Sequence, residues 1–111
     1  MRDGPPTIQA DLTFLAAHEG GRKTLPDFVS GQYMPHLVVL DAADVEEEYL
    51  SVRFLDGPSN YTFGESGRFL LELMYHPRVD YTRLRRGSEL AVREGGRTVA
   101  RGYAVSGFQE N

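Results

Sequence analysis

The sequence contains no cysteine and no tryptophan among its 111 residues. The absence of cysteine excludes disulfide bonds and thiolate metal sites. No apolar run approaches the roughly 20 residues that a membrane-spanning helix needs. The first six residues carry no apolar signal region, so we expect a cytoplasmic protein without membrane contact.

Lysine is almost missing, because Lys23 is the only lysine among the 12 basic residues. The net charge is −4, and an acidic chain is a poor general binder of nucleic acid, since phosphate neutralisation supplies most nonspecific affinity. We therefore expect no DNA partner. The charge is uneven, with 4 basic and 11 acidic residues in 1–66 but 8 basic and 5 acidic residues in 67–111. A local basic face therefore remains compatible with the composition.

Alternation of apolar and polar residues predicts an all-β protein. In 8–14, apolar residues occupy every second position, which is the pattern of a half-buried strand. The same reasoning predicts further strands over 33–40, 49–55, 69–75, 89–93 and 98–105. Leu70 and Met74 suggest that the fourth strand is buried on both faces.

Six strands with turns every ten to fifteen residues predict one antiparallel barrel or sandwich. We expect loops over 18–32 and 76–88, and at most one helical turn within 42–48. The predicted domain is 8–106, with a lead-in at 1–7 and a tail at 107–111.

Two pairs of adjacent glycines punctuate the strands. Gly95 and Gly96 separate the last two predicted strands, where glycine supplies the positive φ of a tight hairpin. Gly20 and Gly21 precede Arg22-Lys23-Thr24 and superficially suggest a phosphate loop. A P-loop needs glycine directly before its lysine and a strand–helix unit, and neither is present. We therefore expect no nucleotide and no other cofactor.

The titratable residues do not form a recognisable catalytic pattern. His18, His36 and His76 are far apart in sequence and show no metal-ligand spacing, so we expect no metal. The acidic run 44–48 is typical of a solvated face. No serine lies in a nucleophile elbow, and we expect a protein that is not an enzyme.

Four motifs, in order, resemble the C-terminal (third) domain of elongation factor Tu over Ala10 to Val105. They are Ala10–Leu15, Gly20–Thr24, Ser30–His36 and Glu72–Pro77, followed by the terminal hairpin with Arg93-Glu94-Gly95-Gly96-Arg97-Thr98. This resemblance implies a single six-stranded antiparallel β-barrel that binds tRNA and packs against a GTPase domain without carrying a catalytic residue. Since no P-loop is present, we expect no GTPase domain in these 111 residues.

The resemblance also implies binding positions. The tRNA-facing positions would be Arg22, Lys23, Tyr33, Met34, His36, His76, Glu94 and Gly95, with Met34 where the family has arginine. Gly20 and Ala91 would face a protein. From this the sequence predicts a translation-associated binding module whose partner is tRNA or a translation protein.

Two hypotheses about the partner stay open. RNA binding predicts one basic stripe that joins Arg22, Lys23 and Arg97 to one of the arginines within 78–86. A protein-binding adaptor or decoy without RNA binding is the alternative, and the acidic net charge and Met34 favour it. The basic patch is either a solvated loop or a site for an acidic partner; its members are Arg78, Arg83, Arg85 and Arg86. Tyr61 and Tyr81, which lie in predicted loops, are further interface candidates. The sequence does not specify an oligomeric state.

Overall fold

A computed structural model describes residues 5–40 and 48–108. Seven strands occur in these two ranges, and the longest helical segment there is the 3₁₀ turn Ala17–Glu19. The strands are β1 (Thr7–Phe14), β2 (His36–Val39), β3 (Leu50–Ser51), β4 (Arg53–Asp56), β5 (Ser66–Glu72), β6 (Glu89–Glu94) and β7 (Arg97–Ala104). The all-β prediction is confirmed. The helical turn expected within 42–48 lies almost entirely outside the described residues.

All seven strands belong to one antiparallel sheet, in the order β3-β2-β6-β7-β1-β5-β4. The two outermost strands, β3 and β4, are consecutive in the chain and are separated only by Val52. The sheet therefore curls until its two edges meet in one run of chain. The Val52 and Phe54 N–H groups donate to the carbonyls of Pro35 and Tyr33, at 3.1 and 2.9 Å.

The observed strands differ from the predicted ones at three places. The strand predicted over 49–55 is divided at Val52, because its first half pairs with β2 and its second half pairs with β5. The strand predicted over 33–40 begins only at His36. The strand predicted over 69–75 runs from Ser66 to Glu72, so its pairing begins in a polar stretch without apolar alternation. Leu70 and Met74 are half-buried, so the expected burial on both faces is not found.

The core is built on aromatic rings. The Phe14 ring lies 5.2 to 6.4 Å from those of five other aromatic residues, measured between centroids, and its neighbours are Phe28, Tyr33, Phe54, Tyr61 and Phe69. Tilted and edge-on pairs of this kind add to the stability gained from burying apolar area. This cluster fills the concave side of the sheet and fixes the loop that contains Phe28 and Tyr33.

Tyr61 and Tyr81 are buried, so the prediction that they form an interface is wrong. The Tyr61 hydroxyl accepts a 2.8 Å bond from the Phe14 N–H and donates to the Glu65 carbonyl. The Tyr81 hydroxyl donates to the Ser51 carbonyl at 2.7 Å. A loop tyrosine can be buried when its hydroxyl finds such partners. No helix in the described residues is long and apolar enough to cross a membrane.

The packing continues past both predicted domain boundaries. Thr7 is already part of β1, and the Pro6 carbonyl accepts a 2.9 Å bond from the Leu73 N–H. At the other boundary, the Phe108 N–H donates to the Leu84 carbonyl at 2.8 Å, and its ring packs against the core.

Candidate binding site at the hairpin end of the sheet

Because the strands are antiparallel, the loops that connect them lie at two opposite ends of the sheet. At the hairpin end, Gly95 and Gly96 join β6 to β7, and the loop 15–35 leaves β1 and returns to β2. At the opposite end, the loop 73–88 joins β5 to β6. β1 spans eight residues between the two ends, which corresponds to roughly 25 Å.

A tight reversal after β1 positions Arg22. Gly20 has a φ of +89°, and a Cβ on Gly21 would lie 1.9 Å from the Leu15 carbonyl oxygen. Only glycine permits this approach of the two backbone segments. The Arg22 N–H then donates to the same carbonyl at 3.1 Å, which directs the Arg22 side chain toward the terminal hairpin.

The terminal hairpin presents Glu94. Gly95 has a φ of +61°, at the position that type II′ turns reserve for glycine. The β6–β7 register shifts between Val92 and Arg93, just before Glu94. Such a bulge re-aims the side chains that follow it.

Arg22, Tyr33 and Glu94 converge at this end and form what we call the Glu94 triad. A single carboxylate oxygen, Glu94 Oε2, accepts bonds from Arg22 Nη1 at 2.5 Å and from the Tyr33 hydroxyl at 2.6 Å. Arg22 Nε also donates to the Thr24 carbonyl at 2.8 Å, and the guanidinium lies 5.5 Å from the centroid of the Tyr33 ring. The triad therefore ties both arms of the loop 15–35 to the terminal hairpin.

Burial raises the pKa of the Tyr33 hydroxyl well above its usual range, and the hydrogen bond to Glu94 and the charge of that carboxylate raise it further. Tyr33 therefore stays a neutral donor at physiological pH. Within the two described ranges, no three histidine or acidic side chains come close enough to hold a metal ion. The hydrogen bonds of the Glu94 triad hold the loop 15–35 and the β6–β7 hairpin together in one surface.

Two apolar side chains are exposed on the ordered loop. Val29 is 63% exposed and Met34 is 49% exposed. The local backbone around Val29 is held by Asp27, whose carboxylate accepts from the N–H groups of Val29 and Ser30 at 3.0 and 3.2 Å. Exposed apolar groups on a fixed backbone bind a partner with little loss of conformational entropy.

Lys23 and Arg97 supply positive charge at the same end. With Gly20 and Gly21 they line a shallow depression of about 290 Å³. Among residues 5–40 and 48–108, neither of the two cationic side chains has a hydrogen-bond or ion-pair partner. Arg22 differs from them, because Glu94 neutralises its charge.

His36 lies beside this surface, at the start of β2. Its ring centroid is 5.5 Å from that of Tyr49, and the Tyr49 hydroxyl accepts a 3.2 Å bond from Arg93 Nη1. Arg93 Nε also donates to Thr98 Oγ1 at 2.9 Å. The ring of His36 therefore contacts Tyr49, which in turn is hydrogen-bonded to Arg93 next to Glu94.

The other predicted site residues lie elsewhere. His76, Arg78, Arg85 and Arg86 lie on the loop 73–88, at the opposite end of the sheet. The arginines of that loop therefore lie at the other end of the sheet from Lys23 and Arg97 and are not adjacent to them. Ala91 is buried in the middle of β6, so its side chain offers almost no surface to a protein.

The sequence indicated most members of this site but not how they interact. Arg22 and Glu94 are 72 residues apart, and no local pattern predicts their ion pair. The role of Tyr33 as the second donor to Glu94 was missed for the same reason. Val29 carried no sequence signal, because an isolated valine in a loop resembles any other apolar loop residue.

The sequence matches no protein-family model, and no curated protein matches it significantly.

Proposed function

We propose that this chain is a non-catalytic binding module, related to the third domain of elongation factor Tu, whose partner belongs to the translation apparatus. The observation that carries the proposal is the Glu94 triad. It combines two loops from distant parts of the chain into one ordered surface, on which Met34 and Val29 are exposed. The proposed partner binds at this hairpin end.

The form of the sheet supports the proposed relationship. β3 and β4 are separated only by Val52, so they can be counted as one bent strand that pairs with β2 on one side and β5 on the other. Counted in this way, the strand order is compatible with the six-stranded barrel that the resemblance implies. A shared architecture does not by itself identify a partner.

A protein partner is the first candidate. Four arginines are already paired with carboxylates, at Arg22, Arg53, Arg68 and Arg83. These pairs reduce the positive charge available to phosphate, and the chain carries a net charge of −4. Exposed Met34 and Val29 are suited to a partner with an apolar patch.

Affinity capture from a native lysate, with and without ribonuclease, tests this candidate. We expect a translation protein to be retained after ribonuclease treatment, and to be lost from the double variant Val29→Glu/Met34→Glu. The matched control is Tyr103→Glu, which introduces a charge at another exposed apolar position. Retention of the same protein by the double variant would contradict a binding surface at the hairpin end.

tRNA is the second candidate, and the cations Lys23 and Arg97 beside the depression favour it. Fluorescence anisotropy of labelled tRNA measures this directly. We expect Lys23→Gln/Arg97→Gln to weaken binding and to reduce its salt dependence, since each phosphate contact contributes about one unit to the slope. Arg85→Gln/Arg86→Gln removes the same charge at the opposite end and should leave binding unchanged. Equal losses in both variants would count against a tRNA site at Lys23 and Arg97.

A further inference from the structure

A second charged surface lies at the end of the sheet opposite the Glu94 triad. The loop 73–88 contains four arginines and a single acidic residue, Asp80. The side chains of Arg78, Arg85 and Arg86 are exposed, and none has a hydrogen-bond or ion-pair partner in the part of the chain that the structure describes. The fourth arginine, Arg83, pairs with Glu48 at 3.4 Å.

Buried side chains and hydrogen bonds hold the loop 73–88 against the core. Tyr81 and Leu84 are fully buried in the core, and the Leu84 carbonyl accepts the N–H of Phe108. Buried Ser88 accepts a 3.1 Å bond from the Arg85 N–H through its hydroxyl. These contacts hold the loop backbone in place, so binding a partner costs little conformational entropy in this loop.

The backbone of Gly107 reinforces the position of Arg85 and Arg86. A Cβ on Gly107 would lie 2.7 Å from the Arg86 nitrogen and 2.9 Å from the Arg85 Cα. The residues after β7 therefore pack closely under the two adjacent arginines. The backbone of Arg85 and Arg86 therefore packs against a second backbone segment, which supports its position.

The one acidic residue of the loop does not neutralise these arginines. The Asp80 carboxylate accepts bonds from the Thr82 N–H at 3.0 Å and from the Thr82 hydroxyl at 2.6 Å. Those two bonds hold the pKa of Asp80 below its usual range. Asp80 therefore bonds to Thr82 within its own turn, and the four arginines of the loop outnumber its single negative charge.

We propose that Arg78, Arg85 and Arg86 form a docking surface for a carboxylate-rich segment of a partner protein. Guanidinium groups bind carboxylates through charge-assisted hydrogen bonds, and Arg83 of this loop already lies 3.4 Å from a carboxylate oxygen of Glu48. Exposed Tyr75 and half-buried His76 precede Arg78 on the same loop, and tyrosine and arginine are enriched among the residues that dominate protein interfaces. A phosphate backbone needs an extended basic track, whereas these arginines lie within one loop of a protein whose net charge is −4.

This inference does not depend on the function proposed above, because the two surfaces lie at opposite ends of β1. Its test uses fluorescein-labelled hexaglutamate, with hexaglutamine as the uncharged control peptide, in anisotropy titrations of the whole chain. We expect hexaglutamate to bind, and Arg78→Gln/Arg85→Gln/Arg86→Gln to weaken binding about tenfold, since three charge-assisted contacts are removed. The control, Arg68→Gln/Arg101→Gln, removes exposed positive charge from β5 and β7 and should change binding less than about twofold.

Three outcomes would overturn the proposal. The first is that hexaglutamate does not bind. The second is an equal loss of affinity in both variants, which would indicate a general charge effect. The third is tighter binding of hexauridylate than of hexaglutamate through the same arginines, which would indicate a nucleic-acid surface. A second measurement covers a triple variant that does not fold: with the wild-type chain, hexaglutamate should shift backbone amide NMR signals within 75–88 and 107–108, and shifts confined to the hairpin end would refute it.

Discussion

Replacing Glu94 tests whether the Glu94 triad holds the loop 15–35 in place. Glu94→Ala removes the acceptor for Arg22 Nη1 and for the Tyr33 hydroxyl, at 2.5 and 2.6 Å. A hydrogen bond to a charged group contributes about 1.5–3 kcal/mol when solvent is excluded. The Arg22 and Glu94 side chains are 27% and 30% exposed, so water replaces part of each interaction. We therefore expect a loss of about 2–3 kcal/mol in the free energy of unfolding.

The measurement is urea unfolding, combined with a double-mutant cycle for Arg22→Met and Glu94→Gln. The cycle isolates the coupling between the two side chains, and we expect about 1–2 kcal/mol. Thermal unfolding gives an independent reading, because each kcal/mol corresponds to about 4 °C in a domain of this size, so Glu94→Ala should lower Tm by about 10 °C.

Lys23→Gln is the control, because it removes a neighbouring exposed charge that has no partner among the described residues. It should change stability by no more than about 0.5 kcal/mol. A coupling energy below about 0.3 kcal/mol, or a Glu94→Ala variant as stable as Lys23→Gln, would refute the argument that the triad fixes the loop.

Three further predictions concern the packing. Gly21→Ala should destabilise the fold by about 3 kcal/mol, since its Cβ would meet the Leu15 carbonyl at 1.9 Å, whereas Gly96→Ala meets nothing within 4 Å and should be neutral in the same urea assay. Tyr61→Phe should cost about 1–3 kcal/mol in urea unfolding, because the buried Phe14 N–H loses its acceptor; an unchanged midpoint would contradict this. Because the folded state raises the pKa of Tyr33 above its ordinary value of 10.0, its contribution is fully present below about pH 10 and is lost as pH rises further. Urea midpoints measured across this alkaline range should fall less steeply for Tyr33→Phe than for wild type, and equal slopes would count against the prediction.

The sequence predicted best the elements whose partners are close in the chain. Alternation identified β1, and the adjacent glycines located the hairpin between β6 and β7, because a two-residue turn fixes the pairing of its own strands. The division at Val52 could not be seen, since it depends on β2 and β5, two strands that flank this run on opposite sides.

Long-range hydrogen bonds explain what the sequence did not predict. Tyr61 is buried because its hydroxyl bonds to Phe14, 47 residues away, and a loop tyrosine with no visible partner is naturally read as exposed. Likewise, Arg22 and Glu94 could be named as site residues from motifs, but their ion pair follows only from the folded sheet. The opposite placement of Arg78 and Lys23 also follows only from strand direction.

Site-specific photocross-linking tests the proposed function most directly. A benzoylphenylalanine placed at Met34, or at the comparably exposed control position Tyr103, would be activated in a native lysate and its products identified by mass spectrometry. The account predicts a translation protein or tRNA joined to position 34 and not to position 103. Equal products from both positions, or no translation component from position 34, would contradict it.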